Sequence, residues 1–162
     1  MNGELRRIRW CLGLFMVGLF LSGVTAFPLV HETEWLVSIV GFFGAETALY
    51  LWVNQVHEAL VATAHSYPFL AYGTDWLAFA HVILTVLFIE PWRDPMRNKW
   101  VIQFGLIACV GVLPLALIAG PIRGIPLFWR LGDCSFGMFG AIPLFIALQA
   151  VKRMEGGTSA AV

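Results

Sequence analysis

Between Trp100 and Gly120 the chain runs through 21 residues without one charged side chain. A helix rises about 1.5 Å per residue, so this run is about 30 Å long, the thickness of a bilayer's hydrocarbon core. Trp10 to Leu29, Trp76 to Trp92 and Leu131 to Val151 are similar, each with at most one Asp, Glu, Lys or Arg. The rest of the sequence cannot hide these runs from water. Of 162 residues, 59% are hydrophobic and 12% charged, with ten acids, ten bases and a mean hydropathy of +0.80. A soluble domain of this size must cover a large surface with polar groups. A soluble enzyme, a nucleic-acid reader and a disordered tail are therefore excluded. The expectation is one integral, multi-pass membrane domain over 1–162, all-α, with spans at about 10–29, 76–92, 100–120 and 131–151.

A fifth run, Leu36 to Val53, carries Glu46 near its middle, and charge decides whether it crosses. Cytoplasmic loops collect Lys and Arg. With four spans, Arg6, Arg7, Arg9, Arg93, Arg97, Lys99, Lys152 and Arg153 fall inside, and only Arg123 and Arg130 outside. With five spans the ten bases divide evenly. The sequence thus predicts four transmembrane helices with both termini cytoplasmic, in a bacterial inner membrane or an endoplasmic reticulum. Trp10, Trp92 and Trp100 then lie at inner boundaries, and Trp35, Trp76 and Trp129 at or near outer ones, where Trp prefers to sit. Arg6, Arg7 and Arg9 with Val24-Thr25-Ala26 also fit a signal peptide, but the apolar run is long for one. An uncleaved span is expected.

The segment 30–73 becomes an extracytoplasmic loop with no Lys or Arg. Loops this long usually have structure of their own. Glu34 to Phe43 reads as an interfacial helix and Ala45 to Ala64 as an amphipathic one. Leu49, Trp52, Val56, Leu60 and Thr63 share its apolar face, and Glu46, Tyr50, Asn54, His57, Glu58 and His65 its polar face. Ser66-Tyr67-Pro68 ends it, because the residue before proline avoids the helical region. The pair of helices is expected to form a cap. Small residues mark expected helix seams: Gly18, Ser22 and Ala26; Gly105 and Cys109; Asp133, Gly137 and Gly140. Pro114 and Pro143 are expected to bend the third and fourth spans by freeing the carbonyls of Val110 and Phe139. A small, polar, frayed tail is expected at 156–162.

Ionisable groups at membrane depth are functional suspects by default. His81 is the first, about 9 Å below Asp75 along the second span, with Thr85 one turn further on its face. It is the candidate catalytic residue, because imidazole moves protons near neutral pH. Asp75, Thr85, Arg130 and Asp133 are the candidate ligand-binding residues. Arg130 and Asp133, three apart, are positioned to pair, and arginine also binds oxyanions in a forked way. His31, His57 and His65 lie upstream, but no histidine spacing suits zinc and no CxxC links Cys11, Cys109 and Cys134. No metal site is expected. Glu90 to Lys99 reads as a stiff inner turn in which Arg93 or Arg97 neutralises Glu90.

In plan the chain resembles the EXPERA group, in its four spans with both ends inside, long first outer loop, Lys99-Trp100 before the third span and prolines in the last two. That resemblance implies an amphipathic, often sterol-like ligand held against buried acids. The acid expected in the second span is absent here, and His81 lies near that depth.

Three functions follow. The first is binding, with conversion left open, of a membrane-dissolved small molecule near the outer face. The second is an accessory subunit that docks a membrane partner protein and does no chemistry. The third is a redox subunit holding haem or a quinone between His81 and one of His31, His57 or His65. The cofactor is left open. The bilayer is the expected partner, and nucleic acid is not.

Overall fold

The computed structural model describes residues 2–159, and every regular element in it is helical. In order these are α1 (Asn2–Thr25), α2 (Leu29–Gly41), α3 (Ala48–Ser66), a 3₁₀ turn (Pro68–Leu70), α4 (Ala71–Leu87), α5 (Ile89–Arg93), α6 (Lys99–Pro114), a π segment (Leu115–Ala119), α7 (Gly120–Ile122) and α8 (Leu127–Ser159). Four helical stretches among the described residues are long and apolar enough to cross a membrane: Gly3–Thr25, Pro68–Arg93, Lys99–Ile122 and Leu127–Gly156. The protein is an all-α, multi-pass membrane protein with four spanning helices. Neither α2 nor α3 qualifies as a span.

Helix ends depart from the apolar runs for local reasons. The α1 helix begins at Asn2, since its arginines favour helix and Glu4 sits well in the first turn of a helix dipole. It stops at Thr25 rather than Leu29: Ala26 and Phe27 close i→i−3 turns onto Gly23 and Val24, and Pro28, which has no N–H to continue the ladder, opens α2 as its N-cap. The α8 helix has 33 residues, about 50 Å, well beyond the hydrocarbon core. It runs through Pro143 and on to Ser159, so 156–159 continue the helix instead of fraying; the rest of the expected tail lies outside the described residues. Pro114 acts differently. It cannot donate to Val110, and the chain beyond it widens into the π segment, with the Leu115 N–H reaching Gly111 and Val112.

The chain divides into two compact units, and α1 and α4 each contribute to both. The first unit comprises 2–18 and 85–159. Its core is Ile8 and Leu12 of α1, Phe88, Val101 and Ile102 of α6, and Leu144, Ala147 and Val151 of α8, all buried. The Phe15 and Phe88 rings lie 4.8 Å apart. Glycines let α6 and α8 close: a Cβ on Gly137 would stand 2.5 Å from the Cys109 carbonyl oxygen, and one on Gly140 3.1 Å from Cys109 Sγ. That seam is the expected one. At one end of the unit Lys99 pairs with Glu155 (2.6 Å), Arg153 with Glu4 (3.8 Å) and Arg93 with Glu90 (3.4 Å).

The second unit, Leu19–Leu84, holds α2 and α3 as a helical hairpin with the end of α1 and most of α4. Thr47 caps α3 by accepting from the Tyr50 N–H (3.2 Å), after Gly44 has turned the chain at φ +110°. Val40 and Val53 are buried. His57 Nδ1 lies 3.0 Å from Thr33 Oγ1. His57 therefore faces α2, not the polar side on which its spacing put it; the inward face of α3 is centred on Val53, one position from Trp52. The Gly18, Ser22 and Ala26 stripe is not a seam at its first two positions, where Gly18 and Ser22 are exposed. Gly23 makes the close approach instead, its added Cβ falling 2.9 Å from the Ala78 carbonyl and 3.0 Å from His81 Cβ.

Candidate functional site

The sequence-based site residues fall into two groups. Asp75 and His81 belong to the second unit, and Thr85, Arg130 and Asp133 to the first. Both Asp75 and His81 are half-buried on α4. His81 Nδ1 lies 2.8 Å from the Leu77 carbonyl oxygen. A carbonyl only accepts, so Nδ1 donates to it. Thr85 follows one turn later on the same helix.

In the first unit, the turn into α8 explains the placement of Arg130. Gly124 adopts φ +73°, a left-handed conformation that side chains disfavour. The Ile125 N–H then reaches back to the Gly120 carbonyl (3.0 Å). This folds the start of α8 onto Gly120, where a Cβ would overlap Cδ and Cγ of Arg130. Arg130 Nε is buried there without a hydrogen-bond partner. Asp133 sits half-buried one turn on, and no ion pair joins it to Arg130 among the described residues. The expected Arg130–Asp133 pair does not form, because the arginine stem lies along Gly120 instead.

The histidines considered for haem lie on three helices of the second unit: His31 on α2, His57 and His65 on α3, and His81 on α4. Thr33 has a single hydroxyl proton, and its oxygen lies 2.9 Å from the Leu29 carbonyl. With that proton on the carbonyl, His57 Nδ1–H donates to Thr33. His65 is exposed, beside His57 and Glu58 along a shallow groove. Among the described residues no three His, Cys, Asp or Glu side chains gather to hold a metal ion.

A larger groove of about 650 Å³ lies wholly within the second unit. The α1–α2 turn supplies Phe27, Pro28, Leu29, Val30 and His31; α3 supplies Leu60, Thr63 and Ala64; Leu70, Ala71 and Thr74 complete it. Only His31, Thr63 and Thr74 are polar. The Thr74 hydroxyl donates to the Ala71 carbonyl (2.7 Å), so it offers a ligand lone pairs. None of Asp75, His81, Thr85, Arg130 or Asp133 lines this groove. Thr74 and His81 are nevertheless seven residues apart, two turns along one face of α4. Of these residues the sequence singled out His31, as a haem candidate, and Leu60 and Thr63, as part of an apolar helix face; no motif links them to the rest of the groove. The one signal for the groove as a whole was a pair of proline turns, at Pro28 and Pro68, bracketing a hairpin.

No protein-family model, no curated protein and no solved structure matches this chain. The likeness in plan to the EXPERA group therefore rests on layout alone.

Proposed function

We propose that this membrane protein binds a membrane-dissolved small molecule with an uncharged polar end, in the groove between the α1–α2 turn, α3 and the start of α4. The groove itself carries the reading. About 650 Å³ lies within the usual range for small-molecule sites, and an apolar wall with a few polar groups is their usual lining. The polar groups define the head. Segment 30–73 has no Lys or Arg, so nothing there compensates a carboxylate or phosphate. Imidazole and two threonine hydroxyls suit a hydroxyl or a carbonyl. His81 does not line the groove; it lies two turns from Thr74 on the same face of α4, about 10 Å away, and is the proposed group for proton transfer to a bound molecule long enough to reach that depth. Asp75 follows the lining residue Thr74 in the chain, while Thr85, Arg130 and Asp133 remain candidates in the first unit.

The proposed orientation has both termini cytoplasmic and the α2–α3 hairpin outside. Support comes from the eight-to-two bias of basic residues. The ion pairs that gather the beginning of α1, the 90–99 turn and the end of α8 at one end of the first unit agree with it.

The test is native mass spectrometry of protein purified in mild detergent. A retained small mass other than phospholipid is expected, and Ala64→Trp, which fills the groove, should remove it. Retention undiminished in Ala64→Trp, in protein that still elutes as a single folded species, overturns the assignment.

A further inference from the structure

A second groove, of about 760 Å³, follows α1 in the first unit, at the end where the basic residues collect. Arg6 and Arg9 stand at its head with Trp10 and Trp92. Its floor continues along Gly13, Leu14 and Val17. These positions form one helical stripe. From Arg6 to Val17 is 11 residues, about 16 Å, half the thickness of a hydrocarbon core. The groove therefore has the length of a single leaflet, with charge at the headgroup level and an apolar channel below.

Trp92 organises the head. Its Nε1–H donates to the Arg9 carbonyl (3.1 Å), Arg9 Nε donates back to the Trp92 carbonyl (3.4 Å), and the guanidinium carbon lies 5.5 Å from the indole centroid. This holds Arg9 at one position while leaving its terminal amines for another partner. Among the described residues that partner is not a nearby acid. Glu4, Glu90 and Glu155 pair with Arg153, Arg93 and Lys99, and Asp94 accepts from the Arg97 backbone. A Cβ on Gly13 would meet only Trp92 Nε1, at 3.9 Å, so a larger side chain there would extend into the groove that Gly13 lines.

We infer that this groove holds an anionic glycerophospholipid of the adjoining leaflet, its phosphodiester on Arg6 and Arg9 and one acyl chain along Gly13, Leu14 and Val17. The charge complementarity selects the ligand. Guanidinium groups bind phosphate oxygens in a forked geometry, indole rings favour the headgroup boundary, and the apolar lining below, Gly13, Leu14 and Val17, suits an alkyl chain.

The test is native mass spectrometry of delipidated protein titrated with phosphatidylglycerol or phosphatidylcholine of identical chains. Phosphatidylglycerol should bind more tightly. Arg6→Gln/Arg9→Gln should weaken it roughly tenfold or more, given the contribution of each basic residue at an anionic surface. Arg7→Gln/Arg97→Gln removes equal charge outside the groove and should change it little. Gly13→Leu keeps every charge but blocks the channel, and should weaken both lipids. Equal binding of the two lipids, equal effects of the two double variants, or a silent Gly13→Leu in folded protein would each overturn the site.

Discussion

At the scale of single residues, glycine positions separate a packed seam from a lipid-facing surface. Gly137 has a backbone carbonyl, that of Cys109, where its Cβ would go, and backbone cannot rotate aside. Gly137→Ala should therefore destabilise the protein by about 1–3 kcal/mol, the usual cost of overpacking. Gly18→Ala should be neutral or slightly stabilising, because nothing lies within 4 Å of an added Cβ and alanine favours helix. Thermal unfolding in one detergent compares the two, and equal midpoints would contradict the seam. The His57–Thr33 contact predicts a smaller effect. Thr33→Val keeps the shape but removes the oxygen that faces His57 Nδ1, and should cost about 1 kcal/mol. An unchanged midpoint in Thr33→Val would mean that the imidazole contributes nothing there.

Among elements, the π segment is the one with its own test. A π turn holds about one residue more than an α turn. Deleting Leu117, which is exposed, should let 115–119 relax to α-helix while Gly120 keeps its place under Arg130. Deleting Ile107, even more exposed but within regular α6, should turn everything after it by about 100°. Cys109 and Val112 would then leave Gly137. The first deletion should yield folded protein by size-exclusion chromatography and the second should not; equal losses would refute the register argument. The same elements show what sequence could and could not convey. Four apolar runs sufficed for four spanning helices, because in hydrocarbon a backbone must satisfy itself. Helix ends were less legible, since an apolar run measures the hydrocarbon core and α8 continues past it. Proline at 68 marked the end of α3 correctly, whereas Pro28 inside an apolar run was passed over. The inward face of α3 was read off-centre: Trp52, Val56, Leu60 and Thr63 are half-buried as expected, but the face is centred on Val53 and takes in His57, because amphipathic spacing alone does not choose between the adjacent Trp52 and Val53. The candidate groove joins three distant segments, which no spacing in the chain encodes.

For the whole molecule, threading decides whether the proposed groove opens outside. Four spans put the α2–α3 hairpin and the 121–126 turn on one side and the 94–98 turn on the other. Five spans would reverse the last two. Structure bears on the choice through length: α2 has 13 residues, about 20 Å, and the chain turns at Gly44 before α3 begins. A continuous Leu36–Val53 crossing does not exist in this fold. Single cysteines at Glu46, Met96 and Ile122 change no Lys or Arg and so leave the charge bias intact. They are placed in a background where the native cysteines are replaced by alanine. In intact cells a membrane-impermeant maleimide should label Glu46→Cys and Ile122→Cys, and Met96→Cys only after the membrane is opened. Labelling of Met96→Cys in intact cells with protection of Ile122→Cys would invert the last three spans. The groove at His31 and Thr74 would then have to be filled from a different side.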